Sequence, residues 1–264
     1  SIEGTEEYAV MPLRNTVLFP QQVIPIYIGR DKSLKLISDI ELEKRKYIIV
    51  VAQEDGSIED PSAEDLYSYG TLATVLKVFA MPDNSKSAIV QGIARVKILD
   101  YLSKEPYFKA AASTISDEPI PDSFEIDDIV DKLRTSFADL IKVAPNLTEE
   151  HTGMLSNINK PNRLVDRAIS LMTLPNQEKQ EILEEVNIKS RIDRAISIIN
   201  REIQRIKLGE EIQTEVHDEI AKTQREYYLR EQMKAIQKEL GEDEGTVELK
   251  ELEERIKDAK MPEA

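Results

Sequence analysis

The chain has 264 residues, a length that allows about two domains, each with its own hydrophobic core. With 50 acidic against 35 basic residues, its net charge of −15 argues against general nucleic-acid binding and against attachment to an anionic membrane surface. It contains no cysteine, which excludes disulfides and thiolate metal sites and suits a reducing cytoplasm, and no apolar run reaches the roughly 18 residues of a membrane span.

Residues 8–116 have the pattern of a small β-rich domain. The run VIPIYIG alternates apolar residues at Ile24, Ile26 and Ile28, the period of a half-buried strand, and its Pro25 indicates an edge strand or a bulge. DKSLKLISDIELEKRK has the spacing of one helix, and the continuous apolar run YIIVVAQ predicts a buried strand. The whole region predicts about seven strands and one helix. Because the connections are too short for parallel crossovers, we expect a mostly antiparallel sheet or a partly closed barrel.

Two turns organise the later strands. β-rich runs flank Pro82–Ser85, which predicts a hairpin, and a second strand pair, RVKILDYL and YFKAAASTI, flanks Lys104–Pro106. Apolar residues near predicted turns are candidate ligand contacts, because binding groups often lie on loops. Ordinary isolated exposure is the alternative interpretation. The candidates are Pro20, Val23, Met81 and Pro82.

The acidic, proline-rich segment 117–122 predicts a domain boundary. Beyond it the apolar period changes to that of helices, and Asp122 and Glu125 have the spacing of a capping box. Prolines further along fit the boundaries of several shorter helices. They are Pro145, Pro161 and Pro175, and the apolar stripe of the first helix is Phe124, Ile129, Leu133, Phe137 and Leu140.

From Ile188 onward the pattern is that of one long helix. Its isoleucines recur at alternating spacings of four and three, which is a coiled-coil seam of two heptads, and a helix over 188–240 would measure about 80 Å. Such a rod predicts packing on another chain or a lead into another domain, whereas packing within the chain is the alternative for the isoleucine seam. Candidate residues for helix-mediated contact are Ile199, Ile203, Ile206, Tyr228 and Met233.

The three parts define the predicted organisation of the chain. Residues 1–117 form a β-rich amino-terminal domain, residues 118–186 a helical bundle, and residues 187–264 the long helix and a connector. This is an α+β multidomain fold class, with a small, mostly antiparallel β domain followed by an α-helical bundle and a long projecting helix.

Motifs for catalysis are missing from this sequence. It has neither the Gly-Lys pair of a phosphate-binding loop nor a Gly-x-Ser-x-Gly elbow, and its two histidines, His151 and His217, are far apart. Asp127, Asp128 and Asp131 have the spacing of a magnesium–diphosphate motif, but acidic residues are also expected in the first turn of a helix. We therefore predict no catalytic, cofactor-binding or metal-binding residues here, with a magnesium-dependent enzyme as an unfavoured alternative.

Several stretches closely resemble Lon proteases. REYYLREQMKAIQKELGE resembles the segment that precedes their ATPase module, and AKMPEA resembles the end of the region before it. MPLRNTVLFPQQVIPIYIGRDKSLKLI resembles the start of their amino-terminal domain, and YGTLATVLKVFAMPDNSKSAIVQGIARVKI resembles its central hairpin. The resemblance covers nearly the whole chain in order.

The resemblance implies a parent protein that is a homohexameric, ATP-dependent serine protease with an AAA+ motor and a Ser-Lys dyad. Neither the nucleotide-binding motif nor the dyad matches a position here, so both are expected after Ala264, and ATP and Mg²⁺ are expected in the parent only. The implied fold of the first domain is PUA-like.

The implied role of this region is recognition of misfolded or unfolded protein substrates and assembly with other subunits, in the cytoplasm, with no membrane or nucleic-acid site. For substrate contact the candidates are the four turn residues given above. A coiled-coil oligomerisation scaffold without a substrate role is the alternative function.

Overall fold

A computed structural model describes residues 5–120, 124–240, 251–252 and 254–255. The chain divides into two compact units, Ser1–Gln204 and Arg205–Ala264. In the first unit the β strands end at Ile115 and the helices that follow begin at Phe124. The finer division into three domains stays a prediction.

The described residues contain six strands, which form one sheet in the order β2-β5-β4-β3-β1-β6. The sixth strand also pairs with β5, so five strands close into a barrel and β2 is added beside the first half of β5. The strands are β1 (Thr5–Leu13), β2 (Val23–Ile28), β3 (Tyr47–Ala52), β4 (Tyr69–Ala80), β5 (Lys86–Ser103) and β6 (Lys109–Ile115).

The predicted mostly antiparallel β domain is confirmed, with one departure. Strands β1 and β3 pair in parallel, and the other pairings in the described sheet are antiparallel. The sequence interpretation excluded parallel pairing because it took all the connections to be short, and this was wrong for the connection between β1 and β3. It contains both β2 and helix α1 (Asp31–Leu42), which is long enough for a parallel crossover.

One long strand replaces two of the predicted strands. KSAIVQGIA and RVKILDYL are both part of β5, which pairs with β2 through Lys86–Gln91 and with β6 through Arg95–Ser103. Its register against β4 shifts close to Gly92. Irregularities of this kind bend a strand without ending it, so the chain passes from one partner to the next without the turn that the sequence pattern indicated.

Glycine at position 92 allows the loop before β2 to lie against β5. A Cβ atom there would be 2.3 Å from the carbonyl oxygen of Phe19. The Gly92 amide donates to the Gln22 carbonyl oxygen at 2.9 Å, and the Gln21 amide donates to the Gly92 carbonyl oxygen at 2.9 Å. Gln21 has a φ of 67°, in the left-handed region. These contacts fix the start of β2.

Strand β3 is buried on both faces, which explains its continuous apolar sequence. Ile48 and Val50 belong to one apolar cluster, which includes α1, whereas Ile49 and Val51 belong to a second cluster with residues of β5 and β6. A strand with a core on each side has no solvated face and needs no polar alternation. The prediction of a buried strand here is confirmed.

Five helices follow the strands in the described residues, with boundaries at the predicted prolines. Pro161 begins one helix, Pro175 precedes another as its N-cap, and Pro145 lies between two more. Residues 121–123, with the predicted cap Asp122, lie outside the described residues. The helices are α2 (Phe124–Val143), α3 (Glu149–Ser156), α4 (Pro161–Leu171), α5 (Asn176–Glu184) and α6 (Ile188–Glu239).

Apolar residues of the helices form the core of this part of the first unit. In α2 the predicted stripe is buried at Ile129, Leu133, Phe137 and Leu140, and the side chain of Phe124 lies outside the described residues. The beginning of α6, up to Gln204, buries the side chains Ile188, Ile192, Ala195, Ile198, Ile199 and Ile203. The predicted long helix is confirmed, with 52 residues.

We expect Gly92→Ala to destabilise the first unit by about 1–3 kcal/mol, because the added methyl group meets the rigid backbone of Phe19. Gly153→Ala is the matched control, since no atom lies within 4 Å of a Cβ at this position in helix α3 and alanine stabilises helices by about 0.5–1 kcal/mol. Urea denaturation followed by circular dichroism measures both. Equal midpoints for Gly92→Ala and the unaltered chain would contradict this account.

Candidate functional site

The four predicted turn residues lie at two ends of the same part of the sheet. Val23 begins β2 opposite Gln91, whereas Met81 and Pro82 form the turn of the β4–β5 hairpin beyond Lys86. Five residues of β5 separate the two ends, about 17 Å. Val23 is 49% exposed and Met81 42%, Pro82 is exposed, and Pro20 is partly buried.

Aromatic residues that the sequence interpretation did not single out lie beside these candidates. Tyr27 of β2 and Phe79 of β4 both lie opposite Ser87 of β5, so they occupy one row across the sheet. Tyr27 is 67% exposed and Phe79 is 42% exposed. The signal was available: if Ile24, Ile26 and Ile28 face inward, alternation turns the residues between them outward. The hairpin face, as named from here on, comprises Val23, Pro25, Tyr27, Phe79, Met81 and Pro82.

Hydrogen bonds hold the hairpin turn in one conformation. The Met81 amide donates to the Ser85 carbonyl oxygen at 2.9 Å, and Asn84 has a φ of 64°, which asparagine tolerates better than most residues. The Asp83 carboxylate accepts from the Ser85 hydroxyl and, at 3.1 Å, from its amide, and the pKa of Asp83 is lowered by these two bonds. The Tyr27 hydroxyl also donates to Asp83, at 3.2 Å, which ties β2 to the turn.

A buried ion-pair network joins the sheet to the helices. Both oxygens of Asp166 accept from the Arg95 guanidinium, at 2.7 and 2.8 Å, and Arg95 Nε donates to the Leu183 carbonyl oxygen at 2.8 Å. Arg191 contacts Asp166 at 3.4 Å and also pairs with Asp117. Arg95, Asp166 and Arg191 are almost wholly buried. Two cations and two anions therefore balance in a volume that water hardly reaches.

This network could not be predicted from the sequence, because its charged residues lie on faces that look solvated when each element is considered alone. In β5 the apolar residues Val96 and Ile98 point into the barrel, so neighbouring Arg95 lies on the outer face, where a charged residue is ordinary. That face is covered by α4 and the start of α6, as the contacts of Arg95 with Asp166 and of Asp166 with Arg191 record. Only tertiary packing distinguishes it from an exposed face.

The segment after β6 is bound to the same network. Asp117 accepts hydrogen bonds from Arg191 and, at 2.9 Å, from the Asn162 amide. Burial alone would raise the pKa of Asp117, but the hydrogen bonds from Arg191 and Asn162 and the charges of Arg191 and Arg95 outweigh it, so its pKa is lowered. The next residue, Glu118, accepts from the Asn187 amide at 2.6 Å.

The five candidates for helix-mediated contact differ in exposure. Ile199 and Ile203 are buried in the first unit, so their seam packs within the chain there, which was the alternative interpretation. Ile206 is partly exposed, and Tyr228 and Met233 in the second unit are more than 60% exposed. The apolar stripe of α6 after Gln204 is half exposed throughout, at Leu208, Ile212, Val216 and Ile220.

The acidic triplet of α2 is a solvated helix start. Asp127, Asp128 and Asp131 are all exposed, and Asp128 pairs with Lys132 at 2.7 Å. Among the residues that the structure describes, no group of three or more histidine or carboxylate side chains is arranged to hold a metal ion. No helix within the same residues combines the length and the apolar character needed to cross a membrane.

Known proteins resemble this chain in sequence and fold. Residues 7–201 match the family model described as the ATP-dependent protease La (LON) substrate-binding domain. The Lon protease of Koribacter versatilis is 40% identical over 256 residues, covering 96% of this chain and 31% of the relative, and that of Dictyoglomus thermophilum is 38% identical over 258 residues, covering 97% and 32%. The chain thus spans about a third of the length of these relatives.

A solved structure shares the fold. The N-terminal domain of the Mycobacterium avium complex Lon protease matches with a TM-score of 0.59 and 19% identity, covering 74% of this chain and 98% of that chain. The Lon N-terminal domain protein from Xanthomonas campestris matches with a TM-score of 0.50 and 14% identity, covering 73% and 98%. At these identities the likeness shows the fold alone.

We expect Asp166→Asn to lower the free energy of unfolding by about 3–5 kcal/mol, because it leaves two buried guanidinium groups with one remaining carboxylate. Asp128→Asn makes the same chemical change at an exposed pair and should cost less than about 1 kcal/mol. Urea denaturation of both variants measures the difference. Similar losses for the two would mean that the network does not hold the first unit together.

Acid should weaken the first unit through Asp117. Its folded-state pKa lies below its value of about 3.9 in the unfolded chain, so its stabilising contribution is present above that value. That contribution is lost as the pH falls from about 4 through the folded-state pKa. Urea denaturation between about pH 6 and pH 3 should therefore show a shallower loss of stability for Asp117→Asn than for the unaltered chain. Parallel pH profiles would refute the role given to this carboxylate.

Proposed function

The chain belongs to the Lon protease family, by its match to the ATP-dependent protease La (LON) substrate-binding domain, and we propose that it is the non-catalytic region that recognises substrates and supports assembly. The parent protein would be an ATP-dependent serine protease of the cytoplasm that degrades misfolded and regulatory proteins. Its ATP and Mg²⁺ sites and its Ser-Lys dyad would lie after Ala264, and this region would work by binding alone.

The hairpin face is the proposed contact for substrates, and its exposure is the observation that carries the proposal. Tyr27, Phe79 and Met81 expose large apolar side chains along one end of the sheet, and Val23 extends the face to the other end of β2. Each square ångström of apolar surface that such a face removes from water contributes about 25 cal/mol. An unfolded segment can offer that surface, whereas a folded protein has already buried it.

The fixed turn supports this role because a rigid contact loses little conformational entropy on binding. The bonds of Asp83 to Ser85 and Tyr27 already hold the turn before any ligand arrives. Side chains presented by an ordered scaffold bind more tightly than the same side chains on a mobile loop. The hairpin face therefore offers apolar contacts that many different unfolded segments can make, on a surface of defined shape.

Assembly is the second part of the proposal. Tyr228 and Met233 are exposed on α6 in the second unit, as is the apolar stripe from Leu208 to Ile220. Exposed apolar stripes on helices mark surfaces for partner helices. We propose that they contact other subunits of a homohexamer of the parent protein. A scaffold without a substrate role is the alternative, and this stripe is the observation that favours it.

Binding of a permanently unfolded protein tests the substrate role. We expect the 264-residue chain to bind fluorescently labelled, reduced and carboxymethylated α-lactalbumin, measured by fluorescence anisotropy. Met81→Asp and Phe79→Asp should each weaken binding by about fivefold, because each places a charge on the apolar contact.

Leu102→Asp is the matched control, since Leu102 is a similarly exposed apolar residue at the far end of β5. It should bind as the unaltered chain does. Absence of binding by the unaltered chain, together with a stable oligomer in sedimentation, would favour the scaffold. Binding that neither hairpin variant changes would remove the hairpin face from the proposal.

A further inference from the structure

A basic cleft lies between the loop before β2 and helix α4 in the first unit. Its volume is about 470 Å³, within the range of roughly 300–1,000 Å³ that ligand pockets occupy. One wall contains the apolar residues Phe19, Pro20 and Val23 and the side-chain amide of Gln22. The opposite wall carries three cations, Lys160, Arg163 and Arg167.

The three cations line the same cleft and have no acidic partner among the described residues. Arg163 and Arg167, four residues apart, lie on one face of α4, and Lys160 is the N-cap residue just before its first turn. None of them forms an ion pair with a residue that the structure describes, and within those residues the Arg167 guanidinium donates one hydrogen bond, to the Met154 sulfur at 3.7 Å. What sets them apart from the unpaired cations of the exposed loop at 44–46 is their position in the wall of a cleft that also has an apolar side.

Nearby carboxylates do not neutralise the cleft. Asp166 also lies in its wall, but its two oxygens accept hydrogen bonds from Arg95 and its charge is shared with Arg191. Asp117, on the other side of Arg163, is bound to Arg191 and Asn162. The four charges of the buried network cancel, which leaves the charge of Lys160, Arg163 and Arg167 available to a ligand.

The cleft is continuous with the hairpin face through Val23. This residue lines the cleft and also begins the outward row of β2 that leads to Tyr27. Four residues of strand separate the two, about 13 Å. An extended chain whose apolar residues cover Tyr27 and Phe79 would therefore reach Val23, at the edge of the cleft, within about four residues.

We propose that the cleft binds an acidic segment of a protein substrate next to an apolar segment held by the hairpin face. The inference rests on the proposed function, which it refines by giving the substrate a charge preference. Aspartate and glutamate side chains match the three cations, and the amides of Gln22 and Asn159 are suited to the polar backbone of an extended peptide. The apolar wall and the low number of cations favour a polypeptide over a nucleic acid, which needs many phosphate contacts.

Two synthetic fluorescent peptides test the charge preference against the full 264-residue chain. Each has four leucines followed by four spacer residues and a block of four residues, either glutamates or glutamines. At low salt we expect the glutamate peptide to bind about fivefold more tightly than the glutamine peptide. Three exposed ion pairs, each of them weak, would together give a difference of this size. Raising the salt to about 0.5 M should remove most of the difference, because exposed charges are then screened.

Two triple variants separate the cleft from net charge. Lys160→Gln, Arg163→Gln and Arg167→Gln together should abolish the preference and leave the affinity for the glutamine peptide unchanged. Lys44→Gln, Arg45→Gln and Lys46→Gln remove the same charge from the exposed loop between α1 and β3 and should keep it. Circular dichroism verifies that both fold, and the single exposed substitution Arg163→Glu, which should also abolish the preference, serves if the first triple variant does not.

The outcomes distinguish this inference from the proposed function. If neither peptide binds, the hairpin face and the proposed function fail together. If both bind equally, or if the cleft variant keeps the preference, only the acidic-segment proposal is overturned. A single-stranded oligonucleotide that binds the cleft as tightly as the glutamate peptide would also overturn it, because the ligand would then be a polyanion of another class.

Discussion

The ion-pair network of Arg95, Asp166, Arg191 and Asp117 is the constraint on which the first unit depends. Each guanidinium has lost most of its water, so its charge is tolerated only where a carboxylate and a carbonyl oxygen replace that water in fixed positions. The network draws on β5, the segment after β6, α4 and the beginning of α6. Apolar packing alone is tolerant of small shifts between a sheet and its helices, whereas bidentate Arg–Asp geometry is not. The pairs therefore select one arrangement of these elements.

That arrangement also places the two surfaces with proposed roles. Arg95 lies in the same strand as Ser87, which pairs with both Tyr27 and Phe79 of the hairpin face, and Asp166 lies in α4 between Arg163 and Arg167. The bond between Arg95 and Asp166 thus holds β5, the strand between the two that carry Tyr27 and Phe79, against the helix that carries Arg163 and Arg167. Because Asp166 and Asp117 are bound to Arg95 and Arg191, they do not pair with the neighbouring cations of the cleft. The pairing of Arg95 with Asp166 therefore both holds the sheet against the helices and leaves the cations of the cleft available for a ligand.

The sequence predicted those parts of the fold that local pattern decides. Alternation identified β2 and its inward isoleucines, the turn at Pro82–Ser85 identified the hairpin, and the prolines marked the starts of α4 and α5. It failed where the deciding contact is remote. The parallel pairing of β1 with β3, the unbroken course of β5 past Gly92 and the burial of Arg95 all depend on which element lies opposite. Of the hairpin face, the turn residues were predicted, and Tyr27 followed from an alternation already recognised.

Helix α6 shows the same limit within a single element. Its apolar residues recur at helical spacing both before and after Gln204, so the pattern predicts an apolar face in each stretch. In the structure Ile199 and Ile203 are buried, whereas Leu208 and Ile212 are half exposed. Periodicity states which face of a helix is apolar and leaves open what covers it. For the first stretch the cover is the chain itself. For the second stretch the structure shows an exposed apolar face, and a partner helix that covers it is the assembly proposal.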